Sequence, residues 1–123
     1  MVQGSYRVAV QHGKRAYFAV VALEVTVGVG AAETVRVAND SGEPTWKAGM
    51  RFGIAYAYER TLKRNWLPPG VEVRITEFRG HVVDTTEIVV AFAAAQAFYA
   101  ALELPPPPEL QFDPASGIFS FPK

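Results

Sequence analysis

The chain has 123 residues, half of them hydrophobic, and its 12 basic side chains balance 12 acidic ones. This length and hydrophobicity predict a globular domain with a core. The balanced charge argues against a general nucleic-acid binder, because non-specific affinity comes from phosphate neutralisation, so any RNA contact must be local or helped by protein contacts. The absence of cysteine excludes disulfides, thiolate nucleophiles and cysteine-based zinc sites.

Three strands are predicted at the N-terminal end of the chain. The β-rich runs Tyr6 to Gln11 and Ala16 to Val27 flank a short loop that contains a glycine, which indicates a hairpin. Gly28 to Ala32 ends the second strand, and Glu33 to Ala38 predicts a short third strand.

A helix is predicted from about Thr45 to Arg64, after a loop rich in turn residues. Gly49 and Gly53 lie one turn apart in this helix, although each costs up to about 1 kcal/mol relative to alanine. We therefore expect them to allow a close approach between the helix and the sheet. The face predicted to be buried has helical spacing and consists of Trp46, Met50, Gly53, Ile54, Ala57 and Thr61.

A fourth strand is predicted from Val71 to Phe78, because apolar and polar residues alternate there as in a half-buried strand. One face is expected to carry Val71, Val73 and Ile75, with Glu77 as their continuation, and the other Glu72, Arg74, Thr76 and Phe78.

A second helix is predicted from about Thr85 to Leu102. Asp84 is a good N-cap, and Glu87, three residues on, can complete a capping box, which explains both carboxylates without a catalytic role. A proline run follows the helix and forms a stiff spacer. We therefore divide the chain into a folded domain, residues 1–104, and a proline-rich spacer with an apolar tail, residues 105–123.

The second helix is unusually apolar for a helix on one face of a sheet, which is normally amphipathic. One row of its residues is predicted to face the sheet. The apolar residues predicted to point away from the sheet form an outward stripe, which consists of Ala91, Ala95, Phe98, Tyr99 and Leu102. An exposed apolar stripe marks a partner surface, so a second copy of the chain or a partner protein would cover it. The alternative is that the chain's own tail folds back over the stripe. The sequence leaves both covers open.

The loop before the second helix resembles that of a known module. Arg79 to Glu87 reads R-G-H-V-V-D-T-T-E, and it is similar to the loop G-S-Y-H-x-V-D-S-S-E of domain IV of translation elongation factor G. Met50 to Ile54 on the first helix is similar to that family's V-x-K-G-I, and the resemblance covers roughly Gly4 to Leu102. It implies an α+β fold of the order β-β-β-α-β-α, a packing that the predicted elements also indicate, with both helices on one face of the sheet.

In that family the first hairpin loop and the strand-to-helix loop lie together at the tip of the domain, which enters the decoding region of the ribosome. The resemblance therefore implies a tip formed by His12, Lys14, Arg15, Arg79 and His81. The chain departs from the family in its first loop, where the glycine-rich sequence is mostly lost. It also contains no phosphate-binding G-x-x-x-x-G-K-[ST] loop, so we expect no bound nucleotide.

No spacing of residues in the chain supports an enzyme, since neither a Ser–His–acid set nor a pair of catalytic carboxylates can be assigned. His12, His81 and Asp84 would supply too few ligands for a convincing metal site. We expect neither a metal nor another cofactor. We expect a cytoplasmic protein, because the N-terminus lacks the apolar core of a signal peptide and no stretch is apolar enough to span a membrane.

The function implied by the resemblance is that of a non-enzymatic, stand-alone protein that binds the ribosome or structured RNA through its tip. The alternative is a protein-interaction or self-associating module that kept the fold and lost the RNA role. The balanced charge and the altered first loop favour the alternative, whereas the His81 to Asp84 loop favours RNA.

Overall fold

A computed structural model of the protein describes residues 2–12, 15–28, 35–39, 47–63, 70–80, 86–104, 110–113 and 118–120. In chain order the elements are β1 (Val2–His12), β2 (Arg15–Val27), β3 (Val35–Asn39), α1 (Lys47–Lys63), β4 (Val71–Gly80), α2 (Glu87–Ala101), β5 (Gln111–Asp113) and β6 (Ile118–Ser120). Neither helix is long and apolar enough to cross a membrane.

Four strands form one mixed sheet in the order β1-β2-β4-β3, and β5 and β6 form a separate small hairpin. β2 pairs antiparallel with β1 on one side and with β4 on the other, whereas β3 pairs parallel to β4. Parallel strands need a crossover connection, and here the connection contains α1. A mixed sheet with two helices confirms the α+β class expected from the sequence.

The core lies between one face of the sheet and the two helices. α2 packs against β1 and β2, and α1 packs beside α2 and touches β3. The inward-facing residues of β2 and β4 alternate with half-buried or exposed ones, as the period of a strand requires. Seven of the inward-facing residues are at most 2% exposed, namely Ala19, Val21, Leu23, Val25, Val71, Val73 and Ile75.

The two helices run parallel, and glycine sets the distance between them. Gly49 lies against Glu87 and, one turn further along both helices, Gly53 lies against Ala91. A methyl group added at Gly53 would collide with the backbone carbonyl of Ala91. The expectation that these glycines allow a close approach to the sheet is therefore wrong, because they allow a close approach to α2. The close helix–sheet approach occurs at Gly4, where an added Cβ would lie 2.6 Å from the Ala101 Cα.

The stripe predicted to face outward on α2 is buried, and the prediction of a partner surface there is wrong. Ala91, Ala95, Phe98 and Tyr99 are 0–2% exposed and Leu102 is half-buried. The reason is that α1 packs along α2, so that α2 has the sheet on one side and a helix on another. The sequence interpretation placed both helices on one face of the sheet but did not assign α1 as the cover of this stripe, and therefore left it open to a second copy of the chain, a partner protein or the tail.

α2 begins two residues later than the proposed Asp84 cap implies. Its N-cap is Thr86, whose Oγ1 accepts a hydrogen bond from the Val89 backbone N–H at 3.4 Å. The capping box of Asp84 and Glu87 is therefore wrong, because Thr86 also has a side-chain oxygen suited to capping and stands directly before the helix. Asp84 itself lies outside the described residues. The Glu87 carboxylate accepts a hydrogen bond from another element, the Gly49 backbone N–H of α1.

A β-bulge at Thr76 changes which residues of β4 face the core. Leu23 pairs with Ile75 whereas Ala22 pairs with Glu77, so Thr76 is an extra residue in β4, and its Oγ1 donates to the Ala22 carbonyl at 3.2 Å. Beyond the bulge the faces exchange, as one inserted residue requires. Phe78 therefore packs against the core and Glu77 is exposed, which corrects the strict alternation predicted for this strand.

Candidate functional site

The β1–β2 hairpin and the segment after β4 leave the sheet at the same end, which we call the hairpin end. β1 and β2 pair as far as His12 and Arg15, which leaves two residues between the strands. β4 is antiparallel to β2, and its last residue, Gly80, pairs with Ala19. Gly80 therefore lies about 13 Å from Arg15 along the sheet, at roughly 3.3 Å for each of four residues.

Of the five predicted tip residues, the structure describes the backbones of His12 and Arg15 at this end, whereas Lys14 and His81 lie outside the described residues. The backbones of His12 and Arg15 are the last pair of the hairpin. Lys14 lies between them in sequence, and His81 follows the last residue of β4. The register thus brings His12, Arg15 and the last residue of β4 to one end of the sheet, while the grouping of the tip side chains stays a prediction.

Arg79 is the fifth predicted tip residue, and its side chain is described. It pairs with Val20, five residues from Arg15 along β2, so it lies roughly 16 Å inward from the hairpin. Its side chain is 69% exposed, and its Nη2 lies 3.5 Å from the Glu77 Oε2, which is itself on an exposed side chain. Arg79 therefore belongs to the open face of the sheet and is separate from the hairpin loop.

Both helices also begin at the hairpin end. α2 starts six residues after β4 ends there, and then runs back along β1, where Phe92 packs edge-on against Tyr6 and Ala101 lies beside Gly4. α1 is parallel to α2 and therefore starts at the same end. A helix N-terminus carries a partial positive charge. At this end the Glu87 carboxylate accepts from the Gly49 N–H of α1 and the Thr86 hydroxyl accepts from the Val89 N–H of α2, so part of the first-turn N–H groups is already satisfied.

A groove that sequence reasoning missed lies between the first turns of α1 and α2. It has a volume of about 320 Å³ and is lined by Ala48, Gly49, Phe52, Glu87, Ile88 and Ala91. Phe52 is 54% exposed and Ile88 is 42% exposed, and the Phe52 ring stacks on Tyr56 with centroids 6.4 Å apart. The available signal was Phe52 itself, a large apolar residue that falls outside the buried spacing of α1.

Within the described residues, no three histidine, aspartate or glutamate side chains lie close enough to share a metal ion. The side chains of His12, His81 and Asp84 are not among them, so the expectation about that set stays a prediction.

No family model matches the chain, and no curated protein matches it. Among solved structures, the fold is similar to the crystal structure of ttk003000868 from Thermus thermophilus, with a TM-score of 0.66 and 18% sequence identity. The match covers 83% of this chain and 16% of the Thermus chain. At this identity the likeness shows the fold alone, and the chain spans about a sixth of the length of the protein it matches.

Proposed function

We propose that the chain is a domain of the elongation factor G domain IV type that binds the ribosome or structured RNA through the hairpin end, and that it catalyses no reaction. The observation that carries the proposal is the strand register, in which the His12–Arg15 hairpin and the end of β4 leave the sheet at one end. Those are the two segments that the resemblance assigns to the tip.

The chemistry of this end supports contact with phosphate. Lys14 and Arg15 follow His12 in the hairpin, and His81 follows β4. Phosphate contacts come largely from basic side chains, whereas the first-turn N–H groups of the two helices at this end are partly bonded to Glu87 and Thr86. Because the whole chain is neutral, this contact must be local, and its affinity must fall steeply with salt.

The proposal is tested by co-sedimentation with ribosomes and by binding to a structured RNA, each at two ionic strengths. The triple change Lys14→Ala, Arg15→Ala, His81→Ala is expected to abolish binding and to leave the thermal unfolding of the domain unchanged. The matched control is Arg51→Ala with Arg60→Ala, which removes two cations from α1. The proposal is contradicted if the wild-type protein binds neither ribosomes nor the RNA at low salt. It is also contradicted if the control binds as poorly as the triple variant.

A second candidate function is a protein-interaction or self-associating module, and the groove between α1 and α2 favours it. Phe52 and Ile88 expose apolar surface beside each other, and the stacked Tyr56 extends that surface along α1. Contiguous exposed apolar surface is typical of protein contacts. Sedimentation velocity over a range of concentrations tests self-association, which Phe52→Ser should remove. If the wild-type protein is a monomer at all concentrations, self-association is excluded, and the groove can only bind a different protein.

A further inference from the structure

The face of the sheet that points away from the helices carries an aromatic ring and two arginines close together. Val20 of β2 pairs with Arg7 of β1 on one side and with Arg79 of β4 on the other, so the three residues form one row across three strands. Phe18 is the next residue of β2 on this face, towards the hairpin end. The Arg7 guanidinium carbon lies 6.0 Å from the centre of the Phe18 ring.

This surface is accessible to a ligand. Arg7 and Arg79 are exposed, and Phe18 and Val20 are half-buried, whereas their neighbours Ala19 and Val21 are fully buried against the helices. None of the described elements packs over this row.

The charge around the row favours an anion. Among the described residues, the acidic side chain near this row is that of Glu77, whose Oε2 lies 3.5 Å from the Arg79 Nη2 on the open surface. An exposed ion pair of this kind is weak, so Arg79 can exchange Glu77 for a phosphate oxygen. The next carboxylate on this face, Glu24, lies further from the hairpin end and accepts a hydrogen bond from the Gln3 Nε2 at 3.2 Å. Arg74 lies across from Glu24, so acidic and basic side chains are mixed in that half, whereas the described residues of the half nearest the hairpin include two arginines and one carboxylate.

A shallow depression lies next to this row, on the side away from the hairpin end. It has a volume of about 410 Å³, and its lining includes the side chains of Gln3, Ser5, Glu24 and Thr76. The depression thus offers hydrogen-bond donors and acceptors next to the two arginines. Successive residues of β2 on this face are about 7 Å apart, so Phe18, the Val20 row and the depression follow one another at regular steps along the strand.

The geometry points to a binding surface for single-stranded nucleic acid on the open face of the sheet. One base takes the place of the Arg7 guanidinium over the Phe18 ring, Arg7 and Arg79 contact the adjoining phosphates, and the following base lies over the depression. A stacking aromatic with flanking cations is the chemistry that sequence-tolerant single-strand binding requires. A duplex does not fit this description, because its bases are stacked on each other and are not available to Phe18. The surface is distinct from the hairpin end and does not depend on the function proposed for that end.

The test measures the fluorescence anisotropy of a labelled oligonucleotide of about 10 nucleotides, a length within the usual site sizes. RNA and DNA versions are titrated at several ionic strengths. Phe18→Leu keeps an apolar side chain but removes the ring, and it is expected to weaken binding roughly 5- to 100-fold, while Phe18→Tyr binds like wild type. Arg7→Gln with Arg79→Gln is expected to lower the slope of log affinity against log salt by about 1.4, as two lost phosphate contacts predict.

The matched control is Arg51→Gln with Arg60→Gln, which changes the net charge equally on α1 and should leave the slope unchanged. Thermal unfolding shows that each variant is folded. Three results overturn the inference: no binding of the oligonucleotide by wild type at low salt, wild-type affinity for both Phe18→Leu and the Arg7 and Arg79 variant, or an equal loss in the control.

The outcome is separable from that of the proposed function. If the protein binds the oligonucleotide through Phe18 but does not bind ribosomes or structured RNA, the inference about this surface is supported and the proposed function is contradicted. A protein whose ribosome binding depends on Lys14, Arg15 and His81, and which does not bind the oligonucleotide, has the proposed function without this surface.

Discussion

The side chain of Glu87, the first residue of α2, accepts a hydrogen bond from the backbone N–H of Gly49 in the first turn of α1, with 2.5 Å between the Oε2 and the nitrogen. The first turn of α1 has no acidic residue of its own. A carboxylate near a helix N-terminus satisfies an unpaired N–H and interacts favourably with the helix dipole. Glu87 therefore caps a helix to which it does not belong, and this contact holds the starts of the two helices together.

Replacing Glu87 is expected to destabilise the domain through the first turn of α1. Glu87→Ala leaves the Gly49 N–H without this acceptor and should lower the free energy of unfolding by about 0.5–2 kcal/mol, the usual cost of a lost cap. Glu87→Gln keeps an oxygen acceptor and should cost less. The measurement is urea unfolding followed by circular dichroism. Glu59→Ala, at an exposed acidic position of α1, is the matched control, and a loss in this control equal to that of Glu87→Ala would contradict the assignment.

Gly53→Ala tests the close approach of the two helices. Alanine has the higher helix propensity by about 1 kcal/mol, so propensity alone predicts a gain in stability. The added methyl group would instead meet the backbone of Ala91, which cannot move without shifting α2. We expect a net loss of about 1–3 kcal/mol in the free energy of unfolding.

The same steric argument predicts that Ala91→Gly cannot rescue Gly53→Ala, because the obstructing atoms belong to the backbone of Ala91. Stability of the double variant is compared with that of each single variant by urea unfolding. Recovery of wild-type stability in the double variant would mean that a side-chain contact, and not the distance between the helix backbones, limits this position.

The cap of α2 is tested by comparing two positions. Thr86→Ala removes the Oγ1 that accepts from Val89 and is expected to cost about 0.5–2 kcal/mol. Asp84→Ala is expected to cost less, because Thr86 is the N-cap. Thr86→Ser retains the hydroxyl and serves as the control. A larger loss at Asp84 than at Thr86 would assign Asp84 another stabilising contact.

Glu103 offers a position where the protein can be stabilised. Two residues after the end of α2, Glu103 has a φ of 55°, in the left-handed region. The Leu104 N–H donates a hydrogen bond to the Tyr99 carbonyl at 3.0 Å, and the Glu103 N–H donates one to the Ala100 carbonyl at 3.2 Å. Glycine occupies this position of a helix end without the strain of a side chain. Glu103→Gly should therefore raise the free energy of unfolding by up to about 1–2 kcal/mol, the cost of the left-handed conformation for a residue with a side chain. Glu103→Ala keeps the Cβ, and an equal gain there would show that charge, not strain, is responsible.

The sequence was sufficient for features that depend on local pattern. The buried alternation of Val71, Val73 and Ile75 was predicted correctly, as was the α+β class, because strand period and hydrophobic spacing are local properties. The bulge at Thr76 was not predictable in this way, since an extra residue in one strand is defined only by its pairing with another. The orientation of Phe78 was wrong for that reason.

The errors about α2 have a different origin. Its apolar stripe and the two glycines of α1 were interpreted separately, although they form the two sides of one contact. A helix that touches both a sheet and a second helix is apolar over most of its circumference, and the sequence contained that signal. What the sequence did not specify was the partner, because the parallel arrangement of α1 and α2 follows from the order of the strands in the sheet.

The parallel course of the helices also bears on how such a domain can acquire new specificities. Residues 13–14 and 81–86 connect elements that meet at the hairpin end, whereas the buried side chains of β2, β4 and α2 belong to the elements themselves. Variation in those connections can alter recognition at small cost to the scaffold, since loops tolerate substitution better than the elements that they connect. The domain therefore has the layout of a display framework, on which a library of randomised loops could be selected against new targets.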